Sequence, residues 1–118
     1  MRRILVLDDD QVILDLLQTV LTDAGYDAVL APGLDTIPAN TGADIVITDL
    51  LPLKAYRRET AVDWVTSLRS RFADSPVLIV TAHAAAIAEP DMLGANAVIA
   101  KPFDVDILLA KLDELLTS

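Results

Sequence analysis

Arg3-Ile4-Leu5-Val6-Leu7-Asp8-Asp9-Asp10 is the stretch that decides the fold. A short apolar run breaks abruptly into three carboxylates, and the same form recurs along the chain. Ile45-Val46-Ile47-Thr48 ends in Asp49, Val77-Leu78-Ile79-Val80 in Thr81, and Ala97-Val98-Ile99-Ala100 in Lys101. Short continuous apolar runs read as strands buried on both faces, the habit of parallel sheets. The carboxyl ends of such strands gather at one edge of an open α/β sheet, where ligands bind. The sequence therefore predicts one pocket holding Asp8, Asp9, Asp49, Thr81 and Lys101. It offers carboxylates for a metal, one hydroxyl and one cation.

Helical patterns separate these runs. From Gln11 to Ala24, Ile13, Leu16, Leu17, Val20 and Leu21 recur at helical spacing, and Gly25 stops the helix. A second strand covers Asp27–Ala31. Only a brief or irregular helix is expected around Leu34–Ile37, because Pro38 cannot continue it. Leu50–Glu59 reads as a loop, with Thr60 as the N-cap of a helix to Arg71 that carries Val62, Val65 and Leu68 beside Trp64. His83–Gly94 is alanine-rich and broken by Pro90, so its helix should be short. Asp104 caps a last helix to Thr117, with Val105, Leu108, Leu109, Leu112 and Leu116 as its buried stripe. Five alternations of strand and helix imply a single doubly wound five-stranded parallel sheet with helices on both faces.

Composition narrows the function. A chain of 118 residues, 53% of them hydrophobic, suits one domain, residues 1–118, with its own core. The net charge of −9 argues against direct binding to nucleic acid or an anionic membrane, both of which demand a basic surface. There is no cysteine and one histidine, so disulfides, Cys–zinc sites and His-based metal sites drop out. No stretch reaches transmembrane length, and the first apolar run is too short for a signal peptide. A soluble, cytoplasmic protein is expected.

Taken in order, Ile4–Asp10, Asp44–Asp49, Val77–Ala82 and Lys101-Pro102-Phe103 resemble the receiver domain of two-component response regulators across essentially the whole chain. The resemblance implies the flavodoxin-like strand order 2-1-3-4-5. It implies that Asp49 takes a phosphoryl group from a phosphohistidine on a sensor histidine kinase or phosphotransfer protein. Asp8, Asp9, Asp49 and the backbone carbonyl of Leu51 would hold Mg2+. Thr81 would bond a phosphoryl oxygen, Lys101 would pair with Asp49 and then with the phosphoryl group, and the Lys101–Pro102 bond would be cis. The partner downstream would be an output protein or domain, with a homodimer as a further option. The protein would be a phosphate acceptor that catalyses its own loading and hydrolysis, not a metabolic enzyme.

The chemistry is sound on its own terms. A carboxylate can act as a covalent nucleophile. Clustered carboxylates need a cation and a lysine to offset their charge, and Mg2+ suits a few carboxylates with water and phosphate oxygens. Asp10 reads instead as a solvated helix N-terminus, Trp64 as helix packing and His83 as an ordinary loop residue.

Four departures from the family pattern stand out. Pro52 comes one position early after Asp49, in a loop that is longer and lacks its glycine. That loop is basic, with Lys54, Arg57 and Arg58. Val98 replaces the usual aromatic of the fifth strand, so switching would have to use backbone shifts in Thr81–Gly94. The second and fourth helices are shortened by Pro38 and Pro90. These departures define an alternative, a degenerate receiver acting as a phosphorylation-independent interaction module. A phosphatase using the Asp-x-Asp of residues 8–10 fits poorly, since Gln11 stands where that class has threonine.

Overall fold

The structure, a computed structural model, describes residues 2–50, 57–73, 75–83, 87–88 and 94–117. In chain order it has β1 (Arg3–Leu7), α1 (Gln11–Asp23), β2 (Asp27–Ala31), a 3-10 turn (Leu34–Thr36), β3 (Ile45–Thr48), α2 (Arg58–Arg71), β4 (Val77–Thr81), β5 (Ala97–Ala100) and α3 (Val105–Thr117). The strands form one sheet in the order β2-β1-β3-β4-β5, and every pairing is parallel. This is the order the resemblance implied.

Side chains alternate across a strand, and the two sets build two cores. Leu5, Leu7, Val46, Val77 and Ile79 pack with Ala61, Val65 and Leu68 of α2. Ile4, Val6, Ile45, Ile47, Leu78 and Val80 pack with Leu14, Leu17 and Leu21 of α1 and Leu108 and Leu112 of α3. Helices therefore cover both faces, which is why β1, β3 and β4 read as unbroken apolar runs.

Several local expectations need correction. The buried stripe of α1 uses Leu14, whereas Leu16 is 42% exposed. Both positions are apolar, and the sheet selects the Leu14, Leu17, Leu21 face. Helix α1 closes at Ala24, with Gly25 at φ 92°. Helix α2 begins at Arg58, inside the expected loop, with Arg57 and not Thr60 at its N-cap. The Ala61 N–H already donates to the Arg57 carbonyl at 3.0 Å, so Thr60 lies within the first turn. Asp104 does cap α3, accepting from the Asp106 N–H at 2.8 Å. Leu109 and Leu116 of α3 pack against its core as expected, and Leu115 joins them. The element after β2 is the brief 3-10 turn expected there. Residues 87 and 88 are helical, while Pro90 and most of that connection lie outside the described residues.

Register then positions the site. Leu7 pairs with Thr48, Thr48 with Ile79, and Thr81 with Ala100. One step beyond β1, β3 and β5 stand Asp8, Asp49 and Lys101.

Candidate functional site

Asp8, Asp49 and Lys101 meet at the carboxyl edge of the sheet. The Lys101 ammonium donates to Asp8 Oδ2 at 2.8 Å and to Asp49 Oδ2 at 3.0 Å, bridging the two carboxylates. Asp8 is 2% exposed, with Thr48 and Thr81 the other buried polar residues described. Its second oxygen accepts from the Asp10 N–H at 2.9 Å. The backbone at Asp49 is tied to β1, its N–H donating to the Leu7 carbonyl at 2.9 Å. The other Asp49 oxygen accepts from the Leu50 N–H at 2.7 Å. The Lys101–Pro102 bond is cis, and the Lys101 N–H donates to the Thr81 carbonyl at 2.9 Å.

Burial pushes the Asp8 carboxyl above its ordinary value of 3.8, and the nearby Asp49 charge adds to the rise. The Lys101 ammonium and the Asp10 N–H work in the opposite direction without overcoming it. Burial alone would lower the Lys101 ammonium, but its hydrogen bonds and charge contacts with Asp8 and Asp49 outweigh that and raise it above 10.5. Lys101 is thus a fixed positive charge, and the pocket is left short of cations. One oxygen from each of Asp8, Asp9 and Asp49 lies within 4.8 Å of the others. Such an all-oxygen donor set, partly open to solvent through the exposed Asp9, fits a hard divalent cation that keeps water ligands.

Thr81 is fully buried at the end of β4, in the neighbouring strand, and its hydroxyl accepts from the His83 N–H at 3.2 Å. Among the described residues no hydrogen bond joins it to the carboxylates. Leu51 and Lys54 lie outside the described residues. Arg57 and Arg58 are exposed at the start of α2. Asp10 caps α1, accepting from the Val12 N–H at 2.9 Å, as its reading as a helix N-terminus required.

Sequence reasoning missed one contact. The Trp64 indole N–H donates to Thr48 Oγ1 at 3.0 Å, and Thr48 Oγ1 donates to the Asp49 carbonyl at 2.6 Å. No spacing rule joins a strand-end threonine to an indole on the following helix.

The family described as response regulator receiver domain matches residues 4–113. The response regulator MprA of Mycobacterium sp. (strain KMS) is 35% identical over 121 residues, which cover 97% of this chain and 50% of that protein. The chain therefore spans about half the length of this relative. A response regulator from Thermotoga maritima superposes with a TM-score of 0.82 at 21% identity, covering 100% of this chain and 99% of that one. The response regulator TrrA of the same organism, solved in complex with Mg2+-BeF, gives a TM-score of 0.77 at 27% identity, covering 98% and 100%.

Proposed function

Because the chain belongs to the response regulator receiver family, we propose that it accepts a phosphoryl group on Asp49 from a partner histidine kinase or phosphotransfer protein and signals by altered protein interactions. The observation that carries this is the Lys101 ammonium bridging Asp8 and Asp49 beside the clustered Asp9. An oxygen of the Asp49 carboxylate attacks phosphorus, and the P–N bond of a phosphohistidine breaks. The electron pair returns to the imidazole nitrogen, leaving an acyl phosphate on Asp49.

This chain's residues do three things in that step. Lys101 offsets the charge of the carboxylates and is at hand to pair with the arriving phosphoryl oxygens as a point charge. Asp8, Asp9 and Asp49, with the Leu51 carbonyl, would hold Mg2+, which when bound supplies Lewis-acid stabilisation of the phosphoryl charge. Thr81, whose hydroxyl accepts from the His83 N–H and has its own proton to donate, would bond a phosphoryl oxygen. The TrrA complex with Mg2+-BeF supports the same chemistry here. Residues 1–118 act on this reading as one receiver domain, and the output lies in a downstream protein or domain. Among the described residues no helix is long and apolar enough to cross a membrane, and we place the protein in the cytoplasm. The intact lysine bridge speaks against the degenerate-receiver reading.

The test is intact mass after incubation with Mg2+ and a small acyl phosphate, beside Asp49→Asn. One phosphoryl group should add to the parent alone and only with Mg2+. Addition to both proteins would remove Asp49 as the acceptor.

A further inference from the structure

Trp64 and Thr48 are joined to the acceptor carboxylate by a hydrogen-bonded chain whose direction is fixed. An indole N–H can only donate, and it donates to Thr48 Oγ1 at 3.0 Å. The hydroxyl has one proton, which goes to the Asp49 carbonyl at 2.6 Å. That carbonyl belongs to the Asp49–Leu50 peptide, whose N–H, on the opposite edge of the same plane, donates to Asp49 Oδ1 at 2.7 Å. Since the peptide is planar, holding its oxygen aims its N–H, and the N–H in turn holds Oδ1. Oδ2 is held independently by Lys101 at 3.0 Å.

Thr48 is fully buried and shares its pleat with the apolar side chains Leu7 and Ile79. Valine would fill the same volume there, so packing alone does not call for the hydroxyl, but it would take the acceptor from the Trp64 indole N–H. The hydroxyl's contribution is the link between α2 and the peptide plane of Asp49.

We propose that Thr48 and Trp64 are positioning residues that orient the Asp49 carboxylate by locking the Asp49–Leu50 peptide plane. The inference rests on Asp49 being the phosphoryl acceptor. A nucleophile held in place reacts faster, and a displacement of about 1 Å can cost about 100-fold. The peptide here would be loosened, not displaced, so about tenfold is expected.

The variants are Thr48→Val, which keeps the shape and removes the hydroxyl, Trp64→Phe, which keeps an aromatic ring and removes the indole N–H, and Thr48→Ser, which keeps the hydroxyl. Two readouts are taken on folded protein. One is the Leu50 amide proton chemical shift without any phosphoryl donor. The other is the loading rate with Mg2+ and acetyl phosphate, separated into rate at saturation and KM. T48V and W64F should move the Leu50 amide upfield and slow saturated loading about tenfold with KM within about twofold. T48S should match the parent in both. Parental loading in T48V overturns the proposal whatever the Leu50 amide does, as does a T48S that behaves like T48V. If the parent does not load while the amide shifts follow the expected pattern, the acceptor reading fails and the positioning stands. If the parent loads, D49N does not, and T48V loads like the parent, the reverse holds.

Discussion

Replacing Lys101 by methionine tests the electrostatics of the pocket more sharply than removing a carboxylate. The stem is kept and only the charge between Asp8 and Asp49 is lost. Stripping one partner from a buried ion pair costs about 3–5 kcal/mol, because the remaining charge is left uncompensated. Here the Lys101 and Asp49 side chains are 17% and 20% exposed, so water screens part of the loss and roughly 2–3 kcal/mol is expected. Unfolding entropy is about 2.1 cal/mol/K per residue, or roughly 0.25 kcal/mol/K for this chain, so Tm should fall by about 10 °C.

The pH dependence carries the diagnosis. The Asp8 carboxyl is raised above 3.8 even with Lys101 beside it, so its proton favours the native state. That contribution is full below 3.8 and is lost as pH rises through the folded value. Without Lys101 the carboxyl rises further, and ionising it at neutral pH costs the variant more than the parent. The deficit should therefore be largest near pH 7.5 and shrink toward pH 4. It should shrink again in strong alkali, because Lys101 is raised above 10.5 and its contribution disappears as pH climbs through that folded value. Urea denaturation of parent and variant at pH 4 and 7.5 measures both deficits. A loss below about 0.5 kcal/mol, the ordinary scatter of surface changes, or an equal loss at the two pH values, would refute the argument.

Two neighbouring substitutions separate metal from scaffold. Asp9 is exposed, so Asp9→Asn should change apo stability by no more than about 0.5 kcal/mol. It should still abolish Mg2+-dependent stabilisation, which for the parent is about 2.7 kcal/mol at 100 times Kd; thermal melts across a Mg2+ titration check this. Asp10→Ala removes the cap on α1 and should cost about 1 kcal/mol in urea. It should leave Mg2+ affinity within about twofold, since the Asp10 contact to Asp8 is through its backbone N–H.

What the sequence could and could not carry follows from the kind of signal involved. The strand ends were legible because β1, β3 and β4 are buried on both faces and their apolar runs stop where the sheet stops. Asp8, Asp49 and Lys101 needed nothing more than that edge to be brought together. Strand order is not encoded in periodicity and came from the family resemblance. The buried face of α1 was misread because apolar residues occupy positions 12, 13, 14, 16, 17, 20 and 21. So broad a stripe does not choose between Leu14 and Leu16. Thr60 was misread because a cap signal competed with Arg58 and Glu59, and an acidic residue in a first turn suits a helix start equally well. The Trp64–Thr48 contact depends on how α2 crosses β3, which no local pattern records.

The same helix explains how the fold does without a full helix after β2. A segment that packs on a sheet in irregular form leaves carbonyls needing partners. Arg71, at the end of α2, supplies one for Ile37 and adds to the Ile37 and Thr41 N–H groups that already serve Leu34 and Pro38. Its guanidinium donates to the Ile37 carbonyl at 2.8 Å and reaches those of Leu34 and Pro38 at 3.5 Å, while lying 5.6 Å from the Phe72 ring centroid. Arg69, two residues earlier, binds the Gly94 carbonyl through two nitrogens, at 3.1 and 2.7 Å, and also donates to Asn96 Oδ1. Asn96 in turn accepts from the Val77 N–H at 3.0 Å. One arginine therefore holds the connection leaving β2 and the other the chain entering β5. The planar fork of donors is what makes this possible, and lysine, a point charge, could not hold several carbonyls at fixed angles. With Trp64 reaching Thr48 from the same helix, α2 touches the strand end beside Asp49, the turn after β2 and the residues that lead into β5. A shift of α2 would be felt at Asp49 and at the start of β5 together.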